Sequence, residues 1–567
     1  MNAVELPSRP AKSVNGIALR TKGWTLCIVC LVACISIASA PADENTARRA
    51  CRDQLASLLS EDTVAPIVID GQPLLAARLL RTLYRTRDFA PMWRPAAEAS
   101  LRQAVADSAM DGLRAADFPL PSASKPIPET PDACARRELL LGESLIRLAY
   151  SLRFGRSSPR ASSRSWNYPR RLDGISPVRW LDAAISHGDI PSSLAPLRPD
   201  DVNYRALQRA LAARRAQLAT PQAPMPTFDL PLRPGIKDAR IEILRQILHR
   251  EGDLAADETP RDLYDEDLAL AVKRYQSRHG LAVDGVIGRA TLASLAIPPA
   301  ARIAQLEANL ERLRWLGHDL PQQSLDVNIA AFEARLMESG RVRWRAKVVV
   351  GKPWRQTPEF RSEIRSLVLN PDWIVPPGIL AADILPVARE NPSVLEARGL
   401  EILDADGLRI PVSAVDWSAL GPRRFPYTLR QPPGADNALG RVKFVFPNPH
   451  AVYLHDTPAR DLFARPSRPF SSGCIRLERP LELAGLLLGG VAEWPSERLQ
   501  NAVDSGVTTR IVLPHPLPIR IIYLTAFEDA AGRLNLLPDI YGRDAIVARA
   551  LAAPFRFERP EDYPDGE

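Results

Sequence analysis

Apolar positions in "RELLLGESLIRLAYSLRFG" (Arg137–Gly155) recur at helical spacing, and the run stops at a glycine. "LLAARLLRTLYRTRDFAPMW" (Leu74–Trp93) repeats that period up to a break at Pro91. These runs predict packed helices with long loops between them, such as "RSSPRASSRSWNYPRR", and mark a helical scaffold domain at 46–219. A Pro-rich connector follows, Thr220 to Pro234. Leu268, Val272 and Tyr275 then predict a helix, with Gly280 as its cap, Asp284–Gly285 as a tight turn and Gly288–Leu295 opening another helix. Linker and small helical module together occupy 220–298. "RIAQLEANLERLRWL" (Arg302–Leu316) predicts a connecting helix within 299–321.

Beyond it the period changes. "SLDVNIAAFEARLME", "RWRAKVVVGK", "IRSLVLNPDWIVP", "RVKFVFPNPHAVYLHDT" and "TTRIVLP" alternate or run apolar in short lengths, as strands do. A β-rich domain is expected at 322–545, with a hairpin over "EDAAGR" and a tail at 546–567. Pro-rich and helical pieces interrupt the strand pattern at 376–433. The fold class is multi-domain α+β.

Composition constrains this picture only loosely. A chain of 567 residues is too long for one core, so two to four domains are expected. A net charge of +7 suits an acidic partner such as nucleic acid, anionic lipid or a polyanionic wall polymer, and suits an Arg-rich proteome equally well. No Lys/Arg stripe interleaves with aromatics, which argues against nucleic acid. Arg9, Lys12, Arg20 and Lys22 precede "WTLCIVCLVACISIASA", a basic region, apolar run and small-residue exit that describe an export signal at 1–40. Pro41 disfavours cleavage there, the run is nearly long enough for an inner-membrane tether, and Leu31–Cys34 has the look of a lipidation box. All three readings take the chain out of the cytoplasm.

Three of the six cysteines lie in that segment. The exported body keeps Cys51, Cys134 and Cys474, an odd number without a CxxC pair, which gives zinc little support. Cys51 and Cys134 share the helical half, where a pairing between them is expected. Cys474, in "FSSGCIRL", is open to four readings: buried structural thiol, disulfide half, metal ligand or nucleophile. His455 stands nineteen residues earlier, at the end of the strand-like "AVYLHDTP". An imidazole can take a thiol's proton or stabilise its thiolate. Gly473 lets a backbone approach closely and, with Cys474, offers N–H groups to an oxyanion. Tyr453 is two residues before His455, hence on the same strand face. His450 is a rival base, set among turn residues.

Tyr453–Thr457 with Ser471–Arg476 resembles the active site of L,D-transpeptidases: a strand bearing His, a loop, then Ser-x-Gly-Cys-hydrophobic-Arg. "SSGC" in place of the commoner "SHGC" is similar to the large multi-domain branch of Gram-negative bacteria. "VVVGKPWRQTPEF", "LVLNPDWIVPPGI" and "NALGRVKFVFPN" follow that branch's order, "LYRTRDFAPMW" and "SLRFG" resemble its scaffold domain, and "GLAVDGVIGRAT" resembles peptidoglycan-binding modules. The resemblance implies a periplasmic enzyme that forms 3→3 cross-links between diaminopimelates of peptidoglycan stem peptides. Cys474 would be the nucleophile, His455 the general acid and base, Tyr453 and Gly473 the oxyanion partners, and Ser472 an orienting group for the imidazole. Arg476 would face a substrate carboxylate or form a structural salt bridge. Trp373 would line substrate, while Trp417 would pack, and 376–433 would cap the cleft. No metal or other cofactor is implied, and glycan-strand synthases are the partners to expect. A carboxypeptidase or hydrolase of the same fold, and a non-catalytic wall-binding scaffold, are the alternatives.

Overall fold

The computed structural model describes residues 44–60, 66–122, 130–218, 225–226, 231–255, 261–318, 320–421 and 424–564. The expected export segment lies outside them. Among the described residues no helix is long and apolar enough to cross a membrane.

The N-terminal helices pack around Pro131–Phe154. Thr130 caps this helix by accepting from the Ala133 N–H, Pro131 opens it, and Gly155 at φ +83 ends it. Its buried carboxylates hold the loops above. Glu138 accepts from the N–H groups of Met92 and Trp93 and from the Tyr84 hydroxyl, and Glu143 accepts from the N–H groups of Leu75 and Ala76. The helix Ala77–Arg85 is shorter than the period predicts. It stops at Arg85 rather than near Pro91, because Asp88 and Phe89 take positive φ of 50° and 56°. Cys51 and Cys134 form the expected disulfide, with Cα atoms 5.7 Å apart.

In the small module, the helix Glu266–Arg278 buries Leu268, Val272 and Tyr275 as its spacing predicts. Gln276 fixes the following turn: its amide donates to Asp284 Oδ1 at 2.8 Å and accepts from the Gly285 N–H at 2.9 Å. Asp284 and Gly285 are thus turn-shaping residues. The connecting helix, Pro299–Leu316, is a buried spine between domains. Arg314 on it pairs with Glu311 and donates to Tyr204 of the scaffold, and Arg312 pairs with Asp544 near the C-terminus.

The β-rich part is one nine-stranded sheet. Glu333–Glu338 pairs both with Gln323–Asn328 and with Arg341–Gly351, so eight strands close a ring and Pro469–Ser471 lies outside it. Inward-facing Leu367, Leu369, Val442, Phe444, Leu454 and Ile475 fill its core. The segment expected to cap the cleft is a separate four-stranded sheet with its own core around Leu385, Leu395 and Trp417. Its first strand, Trp373–Ile374, begins just before the expected 376–433. The hairpin over 529–533 forms between Ala526–Glu528 and Leu534–Leu536. The helix Arg543–Ala552 runs across position 545, and the segment after it folds back on the scaffold, where Asp562 accepts from the N–H groups of Leu172 and Asp173.

Candidate active site

Three short strands build the site. Val442–Val445 runs antiparallel to Leu454–His455, with Lys443 opposite His455. Leu454–His455 runs parallel to Ile475–Leu477, with Leu454 opposite Ile475 and His455 opposite Arg476. Leu454 and Ile475 are fully buried in the ring. Alternation therefore turns Tyr453, His455, Cys474, Arg476 and Lys443 to the other face. Cys474 lies one strand over from His455, about 4.8 Å in sheet spacing, and two residues along.

His455 is 4% exposed. Its Nδ1 lies 2.5 Å from the Asp456 carbonyl oxygen, so the neutral ring carries its proton there and its lone pair on Nε2. Burial first, then the positive charge of Arg476, with Lys443 adding to it, push its pKa down to about 3 against the pull of the Asp456 and Leu439 carbonyls. At neutral pH it is a base without charge. Cys474 is the free cysteine among the described residues and is half-buried. Burial pushes its thiol pKa up, while the Tyr453 N–H and the charges of Lys443 and Arg476 pull the other way. Its Sγ sits 3.8 Å from the Ala451 carbonyl oxygen. At rest the site thus holds a thiol and, on the neighbouring strand, a neutral imidazole, a pair suited to general-base activation rather than to a standing thiolate–imidazolium pair.

Asp456 anchors the histidine from behind. Its carboxylate accepts from the N–H groups of Thr457 and Arg441 and pairs with Arg460. Room for it depends on Gly440, where a Cβ would come within 2.4 Å of the carboxylate and φ is +60°. The loop that carries Cys474 is held as firmly. Ser471 Oγ donates to the Cys474 carbonyl, and Thr357 Oγ1 donates to the Gly473 carbonyl at 2.9 Å.

Several sequence expectations change here. The Gly473 N–H donates to Ser471 Oγ at 3.1 Å, so it is occupied rather than offered to an oxyanion; Gly473 is required instead for its φ of +118°. Ser472 does not orient the imidazole. It is exposed and accepts from Arg355 Nη1 at 2.9 Å, and the Asp456 carbonyl does the orienting. Trp373 is half-buried against the cap's core, and Trp417 packs there as expected. Arg476 makes no ion pair among the described residues, and its Nε is buried without a partner, so the salt-bridge reading finds no carboxylate. His450 is exposed in a turn, its ring 5.2 Å from that of Phe360.

Two features escaped sequence reasoning. Lys443 is half-buried, and its Nζ lies 3.7 Å from the centroid of the Tyr453 ring. Arg355 links Ser472, in the loop that carries Cys474, to Asp383 of the four-stranded subdomain, Nη2 to Oδ1 at 3.0 Å. Alternation in "RVKFVF" marks Lys443 as facing away from the core, but only the strand pairing shows what it faces. Among the described residues no group of three His, Cys, Asp or Glu is placed to hold a metal ion.

Comparison with known families matches three stretches of the chain. Residues 322–511 match the model of the "L,D-transpeptidase catalytic domain", 78–211 a "Scaffold domain" and 237–295 a "Putative peptidoglycan binding domain". A Haemophilus influenzae protein named "Putative L,D-transpeptidase" is 35% identical over 243 residues, which is 43% of this chain. The chain spans 48% of that relative's length. An L,D-transpeptidase structure from Xylanimonas cellulosilytica overlaps 52% of this chain and 100% of its own, at 13% identity and a TM-score of 0.17. One from Mycobacterium smegmatis overlaps 35% and 58%, at 13% identity and the same score. Likenesses that slight have no bearing on the fold.

Proposed function

We propose that this chain, which carries an L,D-transpeptidase catalytic domain together with a scaffold domain and a peptidoglycan-binding domain, cross-links peptidoglycan stem peptides through a thioester on Cys474. The observation that supports this most is the strand register, which turns Cys474 and His455 to one face, with His455 between the cations Lys443 and Arg476. His455 Nε2 takes the thiol proton as Sγ attacks the carbonyl that joins the L-centre of diaminopimelate to the terminal D-Ala. The same imidazole returns the proton to the leaving amine, D-Ala departs, and a thioester remains on Cys474. The side-chain amine of a second stem's diaminopimelate then attacks the thioester, His455 takes its proton and passes it to the departing sulfur as the C–S bond breaks, and a 3→3 cross-link forms with Cys474 freed as the thiol. Tyr453 stabilises the oxyanion, and Arg476, without a carboxylate of its own, faces one on the diaminopimelate side. The place of action is the periplasm, reached through the export segment.

Incubating the protein with a defined disaccharide-tetrapeptide and resolving the products by mass tests this. A dimer carrying a diaminopimelate–diaminopimelate bond is the expected product. Tripeptide alone would assign the chain to hydrolysis, and no product would remove the reading.

A further inference from the structure

We propose that Lys443 reads the carboxylate of the residue that leaves the donor peptide, making the cleft selective for donors that end at that residue. This rests on the transpeptidase reading above and adds to it a specificity residue on a strand that carries none of the chemistry.

The argument is one of order across the sheet. Lys443, His455 and Arg476 form one row over three neighbouring strands, with His455 in the middle. Arg476 is on the strand that follows Cys474, beside the half of the substrate that becomes the acyl group. His455 has to reach the leaving nitrogen to protonate it, so the leaving residue lies over His455, away from the Cys474 strand. Its carboxylate carbon is two bonds beyond that nitrogen. The next group in that direction is Lys443. The lysine is not committed elsewhere: among the described residues it has no carboxylate partner, and its Nζ is held 3.7 Å from the centroid of the Tyr453 ring. A half-buried ammonium resting on an aromatic face, beside a reactive thiol, is placed for an incoming anion. Burial pulls its pKa down and the neighbouring Cys474 pulls it up. A bound carboxylate would complete its pairing.

The test separates binding from turnover. Cys474→Ala protein is titrated calorimetrically with disaccharide-tetrapeptide bearing a free C-terminal carboxylate, and with the same compound as its C-terminal amide. Both titrations are repeated in Cys474→Ala carrying Lys443→Met. With Lys443 present, the amide should bind about 10- to 100-fold more weakly than the acid, the usual worth of a hydrogen bond to a charged group. With Met, the acid-to-amide ratio should collapse towards one, and Lys443→Arg should restore part of it. Equal ratios with Lys and Met would overturn the proposal, as would failure of the acid form to bind the Lys443 protein. A cooperative thermal unfolding transition in Lys443→Met like that of the wild type shows that the variant is folded; if it is not, Lys443→Arg decides, since retained discrimination supports the proposal and its loss in a folded Arg variant counts against it. Failure of the underlying reading shows separately, as absence of any thioester on wild-type Cys474.

Discussion

The N–H of Ile475 donates to the carbonyl of Tyr453 at 2.9 Å, and this bond sets the register on which the site depends. With it in place, Ile475 and Leu454 point into the ring while Cys474 and His455 point out together. A slip of one residue would send the thiol into the core and leave the histidine facing an isoleucine.

Gly440→Ala tests how that histidine is held. The new Cβ would meet the Asp456 carboxylate at 2.4 Å and sit at a φ of +60°. We expect a stability loss of about 1–3 kcal/mol from overpacking and strain. Displacing Asp456 moves the carbonyl that fixes the His455 tautomer, so acylation of Cys474 should slow by about 10- to 100-fold. Thermal unfolding and acylation kinetics on the same preparation check both.

The pH dependence follows from a histidine whose pKa is pushed down to about 3. Its base form persists far below the ordinary value of about 6.5. Acylation of Cys474 by a carbapenem should therefore stay level as pH falls through 6.5 and drop only near 3. A histidine of ordinary pKa would lose about tenfold per unit below 6.5. Stability responds over the whole interval. Between 6.5 and about 3 the unfolded chain binds a proton at His455 that the folded one refuses, so stability falls as pH falls through that window. Urea unfolding at two pH values should show a smaller loss in His455→Gln than in wild type.

Asp383→Ala should separate cap from chemistry. The Arg355–Asp383 pair is partly exposed, so its removal should cost less than about 1 kcal/mol of stability. It should nonetheless lower kcat/KM for a stem-peptide donor severalfold, because it joins the loop before Cys474 to the cap. Alkylation of Cys474 by iodoacetamide needs no cap and should be unchanged.

Reduction of Cys51–Cys134 should act on the scaffold alone. The bond closes a separation of 83 residues, and chain entropy makes that worth about 4–5 kcal/mol. The scaffold's unfolding transition should shift down under reductant while acylation at Cys474 persists.

Much of this fold was legible in the sequence because period and punctuation agree there. Gly155, Asp284–Gly285 and the alternation around Leu454 each mark one local conformation, and each appears as expected. The helix after Leu74 was overextended because nothing local announces positive φ at Asp88 and Phe89. Within the site, Cys474 and His455 stood out by residue type. Ser472 and Gly473 were misassigned because their hydrogen bonds go to Arg355 and Ser471, partners that only the folded loop selects. Lys443 and Asp383 were missed for the same reason: each matters through a strand pairing or a cap contact.

The central claim is that Cys474 carries the acyl group. Intact-mass analysis after brief exposure to disaccharide-tetrapeptide tests it most directly, with peptide mapping to locate the adduct. The account predicts a thioester at Cys474 that raises the protein mass by that of the donor less one D-Ala, which carries the thiol proton away, absent in Cys474→Ala and strongly diminished in His455→Gln. Cross-linked product formed at the wild-type rate by Cys474→Ala, or an adduct on any other residue, would contradict it.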